Sequence, residues 1–375
     1  MPAAKGLTKL RADLTKVYGD RLTRRETMMR PDAISTGSLT LDYALGVGGF
    51  ALRRTHEIVG PEGMGKTTLA NLTMANAQRQ YPDRAVCLID MEQAYDYAWA
   101  EKLGVDTSED RFIHLYPDHS EDVSDQIAMV LRSGLVSVVT VDSIGGMESK
   151  AAFEKKADES AMGKNSQVIS RMVKRVAGLC REHNSLVLFI NQYRANIGSP
   201  RGGEKSAGPN ALKYNTTTKV KMSRTSEPTR KVGIDDAVSE APKELEVGRQ
   251  LRVKVERNKL APQGRSADFW FYNHATEQYG PVGIDRSDEA AVLGIATGAV
   301  TRLNASYYEL PDGTKVNGRP AVKVAFAERP ELAEQVRERA LALISGEVKA
   351  ELTVTYDDAP DGFNPTTGEI TEATA

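Results

Sequence analysis

Cysteine is almost missing from this chain. Cys87 and Cys180 are the two it has in 375 residues, each in an apolar stretch. That excludes a disulfide framework and a cysteine-based metal cluster, and it fits reduced, buried thiols. Long apolar runs are missing too: none approaches the roughly 18 residues that a membrane-spanning helix needs. The opening residues MPAAKGLTKLRADLTK contain no signal-peptide-like apolar segment. The expectation is therefore a cytoplasmic protein with no membrane partner. An excess of either charge is also absent, with 49 Lys and Arg against 51 Asp and Glu, a net charge of −2. No global field favours nucleic acid, so any such binding has to come from local patches.

What is present is enough apolar material for a large core, 40% of residues, with 27% charged. Leu7, Leu10, Leu14 and Val17 recur at helical spacing and predict an amphipathic helix over 5–18. Residues 32–270, within a core domain expected over 32–278, alternate apolar β-type runs (THEIV, AVCLIDME, VSVVTVDS, SLVLFINQ) with helical stretches at 66–80 and 164–182. This alternation predicts an α/β fold with a mostly parallel central sheet. Within it, 223–247 is polar and reads as a mobile insertion between two β-type runs. A small α+β domain is expected over 279–345, with a turn at LPDGTKVNG and a helix at 329–345. The segment 346–375 reads as an acidic disordered tail, and 1–31 as a separate N-terminal region.

The strongest chemical signal is Gly60-Pro61-Glu62-Gly63-Met64-Gly65-Lys66-Thr67-Thr68. It matches the pattern G-x-x-x-x-G-K followed by Ser or Thr, it follows a β-type run, and it opens a helical stretch. In such a loop the backbone N–H groups cradle phosphates, Lys66 neutralises the β and γ oxygens, and Thr67 ligates Mg²⁺. A nucleoside triphosphate and Mg²⁺ are the ligands this implies. Hydrolysis further needs a second Mg²⁺-side carboxylate and a group to orient water. Asp142, closing VSVVTVD, suits the first role. Glu92, closing the run in LIDMEQ, suits the second, with Asp90 as its rival. Gln192, ending a third run, is placed to sense the γ-phosphate.

The segments ISTGSLTLDYALGVGG (34–49), GPEGMGKTTL (60–69), LIDMEQAYD (88–96), VTVDS (139–143), MGKNSQ (162–167), FINQYR (189–194), NALKY (210–214) and RVKVERNK (252–259) occur in the order and spacing of one family. On these residues the chain resembles the RecA recombinases. The resemblance implies a RecA-like P-loop ATPase core, with ATP as the nucleotide and with 1–31 as an N-terminal oligomerisation region whose helix docks on the adjacent protomer. It implies ATP-dependent pairing and strand exchange, by a helical filament on single-stranded DNA, with duplex DNA. In such a filament Trp99 would stack on adenine, with Asp96 near the amino group. Arg257 and Lys259 would reach the phosphates of the neighbouring protomer.

The long polar stretch NQYRANIGSPRGGEKSAGPNALK (191–213) resembles the family's second DNA-binding loop, and 150–165 the first. Arg194, Arg201, Asn210 and the amides of Gly198, Gly202, Gly203 and Gly208 are then candidates for DNA contact, with Met162 and Ile197 as apolar wedges between bases. Pro209 stands where the pattern usually has glycine, and Pro200-Arg201 where an apolar pair is common; Arg201 and Lys205 are candidates to compensate. Lys315, Arg319 and Lys323 are candidates for capturing duplex, and the acidic tail resembles a self-inhibiting one. A repressor and single-strand-binding proteins are further partners the resemblance suggests. Two other readings stay open: a hexameric ATP-driven motor on the same core, and a filament scaffold with little hydrolysis.

Overall fold

The computed structural model describes residues 2–18, 31–147, 159–195, 204–206, 210–234 and 243–345. Ten strands make up its main sheet: β1 Thr55–Val59, β2 Ala85–Asp90, β3 Phe112–Leu115, β4 Val136–Asp142, β5 Leu186–Asn191, β6 Thr218–Arg224, β7 Arg230–Ile234, β8 Lys243–Asn258, β9 Ser266–Tyr272 and β10 Gly283–Ile284. Their order is β10-β9-β8-β6-β1-β5-β4-β2-β3, with β7 also paired to β8. The stretch from β6 to β3 is parallel throughout. From β8 outward the pairing is antiparallel.

The parallel half follows from composition. Strands covered by helices on both faces are buried on both, so they read as unbroken apolar runs. β1 and β5 are buried along their whole length. Alternate residues then feed two cores: Ile58, Leu88, Val138 and Leu188 lie on one side, and Cys87, Ile89, Val139 and Phe189 on the other. Both cysteines are free and buried in the second core, and burial pushes each thiol up to about 12.

The segment 223–247 departs from its expectation. Residues 230–234 form β7, which pairs antiparallel with the start of β8, and 235–242 lie outside the described residues. Polar side chains stabilise this pair across the strands: Lys231 Nζ lies 2.8 Å from Glu244 Oε2. The Arg230 guanidinium sits 3.7 Å over the Trp270 ring and 3.6 Å from Asp285. A run of polar residues hides strand character when its charges are matched with a partner strand.

The helix expected at 164–182 spans Glu159–His183 and takes in Met162 and part of the expected first DNA loop. The second loop begins as a ribbon, with Tyr193–Ala195 antiparallel to Glu204–Ser206 and Arg194 opposite Lys205. A helix, Asn210–Asn215, follows it. Ile197, Gly198, Arg201, Gly202, Gly203, Gly208 and Pro209 lie outside the described residues.

The N-terminal helix spans Pro2–Tyr18, and its Leu7, Leu10 and Val17 are 54, 53 and 72% exposed. Its apolar stripe is thus largely open within a single chain. The C-terminal region contains helices Arg286–Ala296, Gly318–Glu328 and Pro330–Ser345 beside a three-stranded sheet. Lys323 is engaged there with Asp285 at 2.6 Å, while Lys315 and Arg319 are exposed. Residues 346–375 lie outside the described residues. Among those described, no helix is long and apolar enough to cross a membrane.

This region is clamped to the core by one buried carboxylate. Glu289 accepts from the Ser38 hydroxyl, from Thr40 Oγ1 at 2.6 Å, and from the N–H groups of Leu39 and Thr40 at 3.0 and 3.1 Å. Glu289→Ala strands those donors in a dry site, where each unmet group costs about 1–3 kcal/mol. The expected loss is about 3 kcal/mol of unfolding free energy, read by urea denaturation. A loss under about 0.5 kcal/mol, the size of an ordinary surface change, would overturn the clamp.

Candidate nucleotide-binding site

Four neighbouring parallel strands, β1, β5, β4 and β2, end on the same edge of the sheet. Ligands of open α/β sheets bind beyond the carboxyl ends of such strands. Here those ends carry the glycine-rich loop, Gln192, Asp142 and Glu92, and these residues line one cavity of about 390 Å³.

The loop after β1 is shaped by its glycines. A Cβ on Gly60 would lie 2.7 Å from the Met222 carbonyl oxygen, so only glycine lets the loop pass so close to β6. Gly65 is left-handed, at φ 80°, and serves as N-cap of the helix Lys66–Gln80. That helix has no acidic residue in its first turn, so the free N–H groups at its start face the cavity uncompensated. Lys66 Nζ donates to the Pro61 carbonyl at 2.8 Å. Burial lowers the Lys66 ammonium from its ordinary value, and Asp142, Glu92 and Glu62 pull it back up. Gly60 and Pro61 shape this loop without lining the cavity, whereas Glu62 through Thr68 line it.

Thr67 Oγ1 donates to Asp142 Oδ2 at 2.6 Å. Burial pushes the Asp142 carboxyl up to about 6; Thr67's hydrogen bond lowers it and Glu92's charge raises it. A hydroxyl and a carboxylate of this kind fit Mg²⁺, a hard cation that keeps waters and takes its remaining oxygens from phosphates. Among the described residues no cluster of three or more His, Cys, Asp or Glu could hold a metal by itself. Thr67 and Asp142 would hold the ion together with the nucleotide.

Strand β2 stops at Asp90, so Glu92 lies in the turn beyond it rather than at its end. That separates the two candidate carboxylates. Asp90 is buried, accepts from the N–H groups of Glu92 and Gln93 at 3.0 and 2.8 Å, and faces His114 at 3.4 Å. Glu92 lines the cavity, and its carboxylate accepts from Ser143 Oγ at 2.8 Å. Asp90 therefore holds the turn that presents Glu92.

Trp99 also lines the cavity. Its Nε1 donates to Thr68 Oγ1 at 3.3 Å, and its ring meets Phe271 edge-on at 6.1 Å. Asp96 caps the helix Tyr97–Lys102 by accepting from the Trp99 N–H at 2.9 Å, and does not line the cavity. Its contribution here is to orient the helix that bears Trp99. Arg257 and Lys259 do not line this chain's cavity either. Arg257 lies 3.7 Å from Glu57, and Lys259 Nζ donates to the Tyr214 carbonyl at 2.6 Å.

The wall opposite Trp99 was missed from the sequence. Arg249 and Leu251 on β8, Phe271 on β9 and Asn273 just beyond it complete the cavity. Arg249 pairs across the ladder with Phe271, so the period-2 alternation of the two strands puts all four side chains on one face. Arg249 Nη1 donates to the Gly63 carbonyl at 3.2 Å, tying this wall to the glycine-rich loop.

A phosphate-cradling loop, a Thr–carboxylate pair and a separate carboxylate at adjacent strand ends narrow the field to P-loop nucleoside-triphosphate-binding proteins. Comparison with known proteins narrows it further. The family profile described as "RecA N-terminal domain" matches residues 7–275. The chain belongs to the RecA family. The protein named "Protein RecA" of Desulforapulum autotrophicum is 35% identical over 321 residues, covering 85% of each chain. That of Psychrobacter cryohalolentis is 33% identical over 362 residues, covering 95% of this chain and 94% of its own. A third, from Chelativorans sp., is 32% identical over 368 residues. As a RecA-family member the protein is an ATP-dependent recombinase, and the expected α/β core with its mostly parallel sheet is the one observed.

Proposed function

We propose that this recombinase hydrolyses ATP at the contact between successive protomers of a filament on single-stranded DNA, and that DNA occupancy accelerates the hydrolysis. The observation that carries this reading is the position of Gln192. It lines the cavity, and the next residue starts the ribbon Tyr193–Ala195 that opens the long basic, glycine-rich loop. A γ-phosphate held by Gln192 then orders the loop, and DNA held by the loop fixes Gln192, the reciprocity that linkage requires.

In this mechanism the N–H groups at the start of the helix Lys66–Gln80 and the Lys66 ammonium bind the phosphates, and Trp99 stacks on the base. Thr67 and Asp142 would hold Mg²⁺ beside the nucleotide, and the ion would supply positive charge to the phosphates. Glu92 accepts a proton from the attacking water. Arg257 and Lys259 of the adjacent protomer stabilise charge on the transferring phosphoryl group, as an arginine finger does. The exposed stripe Leu7, Leu10 and Val17 docks on a second copy of the chain. Arg194 and the loop amides contact DNA phosphates without reading bases, so strand pairing supplies the specificity.

The test is ATP turnover with and without single-stranded DNA, paired with a strand-exchange assay. Turnover that rises with DNA, together with exchanged product, is the expected result. DNA-independent turnover would sink the coupling; translocation without exchange would favour the hexameric motor. If Arg201 and Lys205 compensate for the missing loop amides, replacing both by Ala lowers the salt slope of DNA binding by about 2. An unchanged slope in a salt titration would rule that out.

A further inference from the structure

Glu57 is a carboxylate in the middle of β1, in the centre of the sheet, with 1% of its surface exposed. A charge in that place is costly unless it is paired and hydrogen-bonded. Its two oxygens serve two different elements. Oε1 accepts from Asn191 Nδ2 at 2.8 Å, and Oε2 faces Arg257 Nη2 at 3.7 Å. Asn191 is fully buried at the end of β5, and its Oδ1 accepts the Gln192 N–H at 2.9 Å. A chain of contacts therefore runs from cavity-lining Gln192 through Asn191 and Glu57 to Arg257.

A second chain runs from the other side of Gln192. Tyr193 donates through its hydroxyl to Glu256 Oε2 at 2.9 Å, and Lys219 Nζ lies 3.3 Å from the same oxygen. Both chains end on adjacent residues of β8. In a regular strand, the side chains of such neighbours point to opposite faces of the sheet. Here the register against β6 jumps from Lys219↔Arg257 to Val220↔Val255, which leaves Glu256 as the extra residue of a bulge. Bulges re-aim side chains in this way. Arg257 is held on one nitrogen only: its Nε and Nη1 are buried and have no hydrogen-bond partner among the described residues. The guanidinium is thus anchored, with donors to spare.

We propose that Glu57 is a positioning residue that couples Gln192 to Arg257 within one protomer, so that the state of the nucleotide cavity sets the placement of the cation offered to the next cavity along the filament. This rests on the proposed role of Arg257 at the protomer contact. The coupling makes each cavity's occupancy felt by its neighbour, which reads out as cooperativity in ATP. Glu57 touches no nucleotide, so its loss leaves the cavity's own affinity in place.

The test is Glu57→Gln in the full-length protein, beside Asn191→Ala, which cuts the same chain at its other joint. Gln keeps the shape and an oxygen for Asn191 but presents no charge to Arg257. For both variants, Mg-ADP affinity by calorimetry is expected within about twofold of wild type, while DNA-stimulated kcat falls about tenfold and the Hill coefficient for ATP drops toward unity. Wild-type cooperativity and stimulation in a folded Glu57→Gln protein would overturn the coupling. So would an ADP affinity that falls in step with turnover, because that marks a structural defect of the cavity. If Glu57→Gln does not fold, Asn191→Ala decides by the same criteria. Failure of the proposed function is seen separately, as an absence of DNA stimulation in the wild type.

Discussion

Replacing Glu92 by Gln is expected to lower DNA-stimulated ATP turnover by about 100-fold or more, the usual weight of a general base, while ATP and DNA binding persist. The geometry supports so clean a separation. The turn that carries Glu92 is held by its backbone, through the Glu92 and Gln93 N–H groups on Asp90. A Gln side chain retains an oxygen for Ser143 Oγ, so the position of the group is kept and its basicity removed. The effect on the metal side has a definite sign. Glu92's charge is one of the causes that raise the Asp142 carboxyl. Its removal eases ionisation of Asp142, and Mg-ATP affinity is expected to hold or rise slightly. Single-turnover kinetics with filter binding of ATP and of single-stranded DNA would measure both arms. Turnover within about threefold of wild type would mean that another group activates water; lost ATP binding would mean that Glu92 supports the cavity itself.

The parts of this molecule that were legible in the sequence are those decided by local rules. β4 and β5 are mostly apolar because both their faces are covered, and the glycine-rich loop declares itself because each glycine answers a backbone demand. The sequence ranks Glu92 above Asp90, but what separates the two was not legible there, since it depends on where β2 stops. Had the strand run two residues further, both carboxylates would share a face; because it ends at Asp90, one is buried under the turn and the other projects from it. β7 was hidden for a different reason. Its residues Arg230 and Lys231 look like loop until Asp285, Trp270 and Glu244 are brought beside them by folding. The same holds for Arg249, Leu251, Phe271 and Asn273. Alternation along β8 and β9 gives each strand a face, but nothing local says that this face closes a cavity against Trp99. Asp96 shows the converse: its place one turn before Trp99 is local information, and its carboxylate is used locally, on the Trp99 N–H.

Lys66→Ala separates ligand affinity from the stability of the empty protein, because the two should move in opposite directions. Lys66 is 8% exposed as a residue, and burial already lowers its ammonium from its ordinary value; Asp142, Glu92 and Glu62 keep it charged. Removing it relieves that desolvation and takes one lowering influence from Asp142, whose carboxyl then rises further above about 6 and is more readily neutral in the empty site. The empty variant is therefore expected to melt at or slightly above the wild-type temperature. Its nucleotide site, by contrast, loses the cation that faces the phosphates, and a charge-assisted contact of that kind is worth about 1.5–3 kcal/mol, or about 10–150-fold in affinity. At an ATP concentration of about 100 times the wild-type Kd, the wild-type protein gains about 2.7 kcal/mol of stability. The variant, at the same concentration and with its Kd raised about 100-fold, should gain about 0.4 kcal/mol. Thermal melting with and without Mg-ATP reads both quantities in one experiment. A variant that melts well below wild type when empty would assign Lys66 to the fold, through its bond to the Pro61 carbonyl, and an undiminished ATP-induced shift would remove it from the phosphate site.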